Sequence, residues 1–112
     1  MSMQEKFELN RDNLFSASQI MPIVNDTMTI AEGQDLKRGA LLDVTGTLVT
    51  TGKDVYAVLA EDTVTGSGET KEAPVYLTGE FSEEALSVNS AITVDSVKAS
   101  ARKVGIFIKK NI

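Results

Sequence analysis

Short apolar runs separated by polar turns dominate the chain from about residue 20 onward. The runs recur every 8–12 residues or so, a spacing typical of all-β domains. Thr45-Gly46 between two runs indicates a tight hairpin turn, and the Gly- and Thr-rich stretch 63–72 is interpreted as an exposed loop. Ile106 and Ile108 fall on one face of a closing strand. Strands are therefore predicted over residues 27–30, 40–44, 47–50, 55–60, 73–78 and 105–109.

Helical features are confined to two places. Residues 82–86 begin with a serine followed by two acids, which predicts about one helical turn with a capping residue. Apolar residues recur at helical offsets over residues 94–104, with Thr93 or Asp95 as a candidate N-cap and Gly105 placed to end the helix. The predicted fold class is α+β and mainly β: a compact, small β-barrel or sandwich-like domain with one or two short helices.

The N-terminal segment differs from the rest of the chain. Residues 1–18 are polar, and their scattered apolar side chains have neither strand nor helix periodicity. Two interpretations remain open: a frayed terminus, or a flexible arm that becomes ordered on a partner. The organisation predicted is an arm over residues 1–18 and a domain over residues 19–112. The candidate anchor residues of the arm are Phe7, Leu9, Leu14 and Phe15, with Ile20 at the entry to the domain.

Composition narrows the classes of function. A chain of 112 residues is one domain by length. Its formal net charge of −5 argues against nucleic acid as a partner. No apolar stretch is long enough for a membrane span, and no secretory signal is visible. The chain has no cysteine and no histidine, which excludes disulfides, thiolate or imidazole metal ligands and Ser-His-Asp catalysis.

The motifs that might carry chemistry do not fit their mechanisms. The stretch 66–71 (GSGETK) lacks the Gly-Lys-Ser/Thr order and the following helix of a phosphate-binding loop. Adjacent acids such as Glu61-Asp62 point to opposite faces of a strand, so they form no catalytic pair. Tyr56 and Tyr76 are interpreted as sheet packing. The chain is therefore expected not to be an enzyme, with no catalytic, cofactor-binding or metal-binding residues and no cofactor.

Three ordered segments nevertheless resemble a known family. They are residues 36–42 (LKRGALL), 55–62 (VYAVLAED) and 73–81 (APVYLTGEF), the last running into SEEAL. In this order they are similar to segments of the lambda-type bacteriophage head decoration proteins, and the helix-then-strand ending is also similar to that of prophage-type relatives. The resemblance spans roughly residues 20–112.

The resemblance implies a function in the virion. Such proteins bind the outer surface of the expanded head at three-fold and quasi-three-fold positions and stabilise it against internal DNA pressure. The implied partners are the major capsid protein and two further copies of the chain in a homotrimer, with synthesis in the host cytoplasm. It also favours the capsid-binding arm over the frayed terminus, although this arm lacks the Pro- and Gly-rich character of the lambda protein's N-terminus.

Two other functions remain open at this point. The chain could be another virion accessory β module, associated with a head fibre or a tail tube. It could also be a small ligand-binding β domain or an enzyme, which would require a pocket with converging polar groups and strongly shifted carboxyl pKa values.

Overall fold

A computed structural model describes residues 24–110, and the mainly β character predicted from the sequence is confirmed there. Seven strands are present, together with two single 3-10 turns and one short helix. The strands are β1 (Val24–Ile30), β2 (Asp35–Leu36), β3 (Leu41–Leu42), β4 (Ala57–Leu59), β5 (Thr63–Val64), β6 (Lys71–Ser82) and β7 (Ile106–Lys109). The 3-10 turns are Glu83–Ala85 and Asp95–Val97, and the helix α1 is Lys98–Lys103.

The 12-residue strand β6 organises the main sheet. Its first two-thirds pair antiparallel with β1 on one side and with β4 on the other, and β3 continues the sheet beyond β4. Its last residues pair with β7 in parallel, from Gly79↔Ile106 to Ser82↔Lys109. Among the described residues the strands do not close into a barrel.

Pro74 lies inside β6, a position that a proline seldom occupies in a paired strand. Its carbonyl oxygen accepts a hydrogen bond from the Ala60 N–H at 3.0 Å. The backbone of Pro74 therefore faces Ala60, the residue that follows β4, and the Ala60 carbonyl oxygen is the acceptor that a Pro74 N–H would have bonded. Arg38 Nη1 donates to that oxygen instead, at 2.7 Å, so the missing N–H leaves no carbonyl without a partner.

The main sheet has an apolar core on each face because successive side chains of a strand point to opposite sides. On one face, Leu41 and Val58 join a cluster that includes Phe81, Ala101 and Ile106. On the other face, the next residues of β3 and β4, Leu42 and Leu59, belong to a second cluster together with residues of β1, β2 and β6. The buried members of this cluster are Ile30, Leu36, Ala40, Leu42, Ala57, Leu59, Ala73 and Val75.

The predicted loop over residues 63–72 is wrong at both ends. Thr63–Val64 forms β5, which pairs with β2, a strand that the sequence did not indicate. The Thr65 hydroxyl donates to the Ala31 carbonyl oxygen at 2.7 Å and also accepts from the Gln34 N–H at 2.8 Å. These buried contacts order a polar stretch that lacks apolar periodicity, and only the tip around Gly68 is a turn.

The predicted strand over residues 47–50 is also wrong. Only an isolated bridge between Leu48 and Leu42 forms there. Val49 instead lies fully buried, donating to the Leu41 carbonyl and accepting from the Asn89 N–H, each at 2.9 Å. The apolar character of this run therefore reflects burial of one valine in the core and not a strand with alternating side chains.

Both helical segments are present, but the second consists of a 3-10 turn over residues 95–97 followed by α1 over residues 98–103, and the predicted caps need correction. Ser82 makes no capping hydrogen bond with its side chain, contrary to the sequence interpretation. The Thr93 hydroxyl accepts the Ser96 N–H at 3.2 Å, but the N-cap of this second 3-10 turn is Val94, and α1 follows Val97 without a side-chain cap. Gly105 follows the helix with φ of +84°, the left-handed conformation that ends helices.

Candidate interaction surface

The turn after β3 is held by a single buried carboxylate. Asp43 is 5% exposed. Its Oδ1 accepts hydrogen bonds from the Thr45 N–H at 2.9 Å, the Thr45 hydroxyl at 2.5 Å and the Thr47 N–H at 3.4 Å, while Oδ2 accepts the Thr47 hydroxyl at 3.0 Å. Two backbone bonds, from the Gly46 N–H to the Asp43 carbonyl and from the Asp43 N–H to the Thr47 carbonyl, close the turn.

These hydrogen bonds determine the protonation state of Asp43. Burial raises the pKa of its carboxyl, but the hydroxyl and N–H groups of Thr45 and Thr47 lower the pKa by more. The net pKa lies below the ordinary value because four donors stabilise the charged form. Asp43 is therefore ionised at neutral pH, and its carboxylate is fully occupied in shaping the turn.

Gly46 fixes the turn against the end of β1. Its carbonyl oxygen accepts the Ala31 N–H at 3.1 Å, and its φ of +83° is left-handed. A Cβ atom at this position would lie 2.2 Å from the backbone oxygen of Thr29. Only glycine permits this approach, so Gly46 is required sterically as well as conformationally. The turn predicted at Thr45-Gly46 is present, but it does not join two strands, because residues 47–50 form only an isolated bridge.

The rigid turn holds an exposed valine. Val44 is 71% exposed between the buried Asp43 and Gly46. Tyr56 and Val104, 39% and 40% exposed, line the same surface groove of about 410 Å³. We call these three residues the turn patch. A second groove of about 580 Å³ also includes Val44 and Tyr56, and it extends to Met28 at the end of β1.

A smaller cluster of charges lies beside the first 3-10 turn. Lys98 Nζ is 3.0 Å from Glu83 and 3.2 Å from Asp95, and Lys110 Nζ is 3.4 Å from Glu83. The hydrogen bond from Lys98 lowers the pKa of Glu83, and the same bond raises the pKa of Lys98. Both groups are solvated, so these ion pairs contribute little to stability.

The structure bears on the sequence-predicted sites only in part. The anchors Phe7, Leu9, Leu14, Phe15 and Ile20 lie outside residues 24–110. No group of three or more possible metal ligands is present within the described part of the chain. The helix and the 3-10 turns described there are too short to cross a membrane.

The sequence interpretation missed the turn patch. Tyr56 was assigned to sheet packing but is 39% exposed, whereas Tyr76 does pack against the core. Val104 was placed on the apolar stripe of the helix, but it follows α1 at the C-cap and is exposed. Val44 was placed at the end of the predicted strand 40–44, but β3 ends at Leu42 and Val44 lies exposed in the turn that follows.

A comparison of the chain with protein-family models, with curated proteins and with solved structures gives no match.

Proposed function

We propose that the chain is a decoration protein of a bacteriophage head, binding the outer surface of the expanded capsid and stabilising it. The observation that carries the proposal for the folded domain is the turn patch. An apolar surface held on a rigid turn is typical of a protein-binding site, because little conformational entropy is lost on contact. The segments that resemble the lambda-type family support the choice of capsid as the partner.

The edge of the sheet is a weaker candidate for capsid contact than the turn patch. Among the described residues β1 pairs with β6 alone. However, the Thr27 N–H donates to the Asp26 carboxylate at 2.8 Å, and the Ala31 N–H donates to Gly46. These bonds occupy donors that an added strand would need, as in edges protected against pairing. We therefore assign the domain's own contact to the turn patch.

The N-terminal arm supplies a second contact in this proposal. Residues 1–18 precede β1, and their apolar anchors would bind the shell while the turn patch positions the domain. Three copies around a three-fold position would then combine weak contacts into strong binding. Because the protein binds only the assembled shell, it stabilises that shell by mass action. The proposal needs no catalytic group and no cofactor, and it places the protein on the outside of the virion after synthesis in the host cytoplasm.

The sandwich-like architecture predicted from the sequence belongs to the same proposal. The β2–β5 pair contributes Leu36 to the core on one face of the main sheet, while α1 contributes Ala101 to the core on the other. This layering supports a rigid body that presents its loops to a partner. It fits other virion accessory modules equally well, so binding to capsids is the property to be tested.

The small-ligand alternative finds less support. Both grooves at the turn patch are partly open to solvent, whereas ligand sites enclose most of their ligand. The carboxyl pKa shifts at Asp43 and Glu83 are downward, and both carboxylates are already engaged by donors of the chain itself. A raised carboxyl pKa, as expected of a general acid, is not among these shifts.

Co-sedimentation with expanded, undecorated heads of the source phage tests the proposal. Full-length protein should pellet saturably, at about three copies per three-fold site. Val44→Asp should weaken binding about tenfold or more, because it replaces one buried valine, worth roughly 1.5 kcal/mol, with a charge. Val64→Asp is the matched control: Val64 is 55% exposed but lines neither groove. The double variant Phe7→Asp/Phe15→Asp tests the arm in the full-length chain.

The outcomes separate the parts of the proposal. Loss of binding by Val44→Asp alone assigns the contact to the turn patch, and loss by the Phe7/Phe15 variant alone assigns it to the arm. Equal weakening of binding by Val44→Asp and Val64→Asp would show that the added negative charge, and not loss of the turn patch, weakens binding. If the wild-type protein does not pellet at micromolar concentration, the decoration function is wrong, and head-fibre and tail-tube partners become the next candidates.

A further inference from the structure

A groove with basic walls and an apolar floor lies between α1 and β7. Its volume is about 410 Å³, and the residues that line it are Lys98, Ala99, Arg102, Phe107, Ile108 and Lys109. None of these residues belongs to the turn patch. The groove is therefore a separate surface, built entirely by the last elements of the chain.

The segment that builds this groove is basic in sequence, in contrast to the chain as a whole. Residues 98–110 contain five of the 11 Lys and Arg residues and none of the 16 Asp and Glu residues. Both lysines that line the groove are already paired. Lys98 pairs with Glu83 and Asp95, and Lys109 pairs with Glu80 at 2.6 Å. Arg102 is exposed and has no ion pair within residues 24–110. Its guanidinium is the cation that is available to a partner.

Phe107 supplies the apolar floor. The alternation of β7 sends Ile106 into the core, where it is fully buried, and turns Phe107 to the other side of the strand. Phe107 is half-buried and belongs to neither core cluster. An aromatic ring in this position offers a contact for one apolar side chain beside the basic rim.

We propose that this groove binds an acidic peptide segment of a partner protein, with a carboxylate on Arg102 and an apolar side chain against Phe107. Arginine binds carboxylates through two parallel N–H···O bonds, which lysine cannot do. Charge complementarity selects an acidic occupant, and the single aromatic floor selects an apolar residue next to the acid. A nucleic acid fits less well, because both lysines of the groove already have carboxylate partners, and phosphate backbones are bound by clusters of available cations. The proposal depends on the groove alone and not on capsid binding.

Titration of the ¹⁵N-labelled full-length chain, followed by NMR, tests the proposal. The probe is a ten-residue peptide in which Glu and Leu alternate, and its partner probe has Gln in place of every Glu. The acidic peptide should shift resonances of residues 98–109, and the Gln peptide should not. Arg102→Gln should weaken binding about tenfold, as expected for loss of a charge-assisted pair. Lys37→Gln removes the same charge outside the groove and should leave binding unchanged.

Several results would overturn the proposal. Equal binding of the Gln peptide would show that charge does not select the occupant. Stronger binding of a single-stranded oligonucleotide than of the acidic peptide would assign the groove to nucleic acid. Shifts at residues 98–109 that depend on protein concentration, without peptide, would make a second copy of the chain the occupant. Failure of capsid co-sedimentation would leave all these readouts unaffected, so the two proposals can fail separately.

Discussion

Replacing Asp43 tests whether one carboxylate holds the turn that presents Val44. Asp43→Asn keeps the shape of the side chain and one acceptor oxygen, but it removes the negative charge that the four donors share. Asp43→Ala removes the acceptors altogether. Hydrogen bonds to a charged group contribute about 1.5–3 kcal/mol each when buried, but Thr45 is exposed and its groups can bond to water instead. We therefore expect a loss of about 1 kcal/mol for Asp43→Asn and about 2–3 kcal/mol for Asp43→Ala.

The stability difference between the wild-type protein and Asp43→Asn should depend on pH. The folded state lowers the pKa of Asp43 below its ordinary value of about 3.8, so the unfolded chain takes up a proton first as the pH falls. The stabilisation is therefore fully present above the unfolded pKa, and it is lost as the pH drops through the lower, folded value. At pH 7 the wild-type protein should exceed Asp43→Asn in stability by the full difference, and the difference should shrink below about pH 4.

Urea unfolding at pH 7 and near pH 3, followed by circular dichroism, measures these differences. The control is Asp35→Asn, which makes the same change at an exposed carboxylate of β2 and should alter stability by less than about 0.5 kcal/mol at either pH. The reasoning is refuted if Asp43→Asn and Asp35→Asn behave alike at pH 7. It is also refuted if the deficit of Asp43→Asn persists unchanged at the acid pH.

Three further changes test the packing around this turn and elsewhere. Gly46→Ala should lower the free energy of unfolding by about 3 kcal/mol or prevent folding, because its Cβ would meet a backbone oxygen of β1 at 2.2 Å. The control is Gly33→Ala, which has a φ of +69° but no neighbour within 4 Å, and which should lose only about 1 kcal/mol in the same urea titration. Thr93→Ala removes the hydroxyl that accepts the Ser96 N–H at the second 3-10 turn and should lower the free energy of unfolding by about 1 kcal/mol, whereas unchanged stability would show that this bond is dispensable. Phe81→Ala, at a fully buried site in the larger core cluster, should cost about 3–5 kcal/mol, and a loss below about 1 kcal/mol would contradict the assigned core.

The sequence predicts the elements whose signals are local. Short apolar runs between polar turns indicated β1, β4, β6 and β7, and Gly105 indicated the end of the helix, because both signals depend on neighbouring residues only. The β2–β5 pair was missed for the complementary reason. It is ordered by the hydroxyl of Thr65 and by burial of Leu36, contacts between residues far apart in sequence that no local pattern reports.

Exposure was harder to predict than secondary structure. Residues 47–50 were predicted to form a strand, but no strand forms there and Val49 alone of the four is fully buried. Tyr56 was predicted to lie within a strand and pack in the sheet, but β4 begins at Ala57 and Tyr56 is 39% exposed. In each case the sequence showed an apolar run but did not show which of its side chains face the core. The turn patch consists of apolar residues that face solvent rather than the core, so recognising it required the turn geometry that Asp43 and Gly46 impose.

Stability and binding are coupled at the turn, and the coupling determines how a binding experiment must be read. Asp43 and Gly46 are buried and hold the turn in place, so their variants should alter both the free energy of unfolding and any contact made by Val44. Val44 itself is 71% exposed, and its replacement removes little packing from the folded domain. Loss of binding in Val44→Asp with unchanged unfolding would therefore report the contact itself. The same loss in Gly46→Ala would report only that the turn had moved.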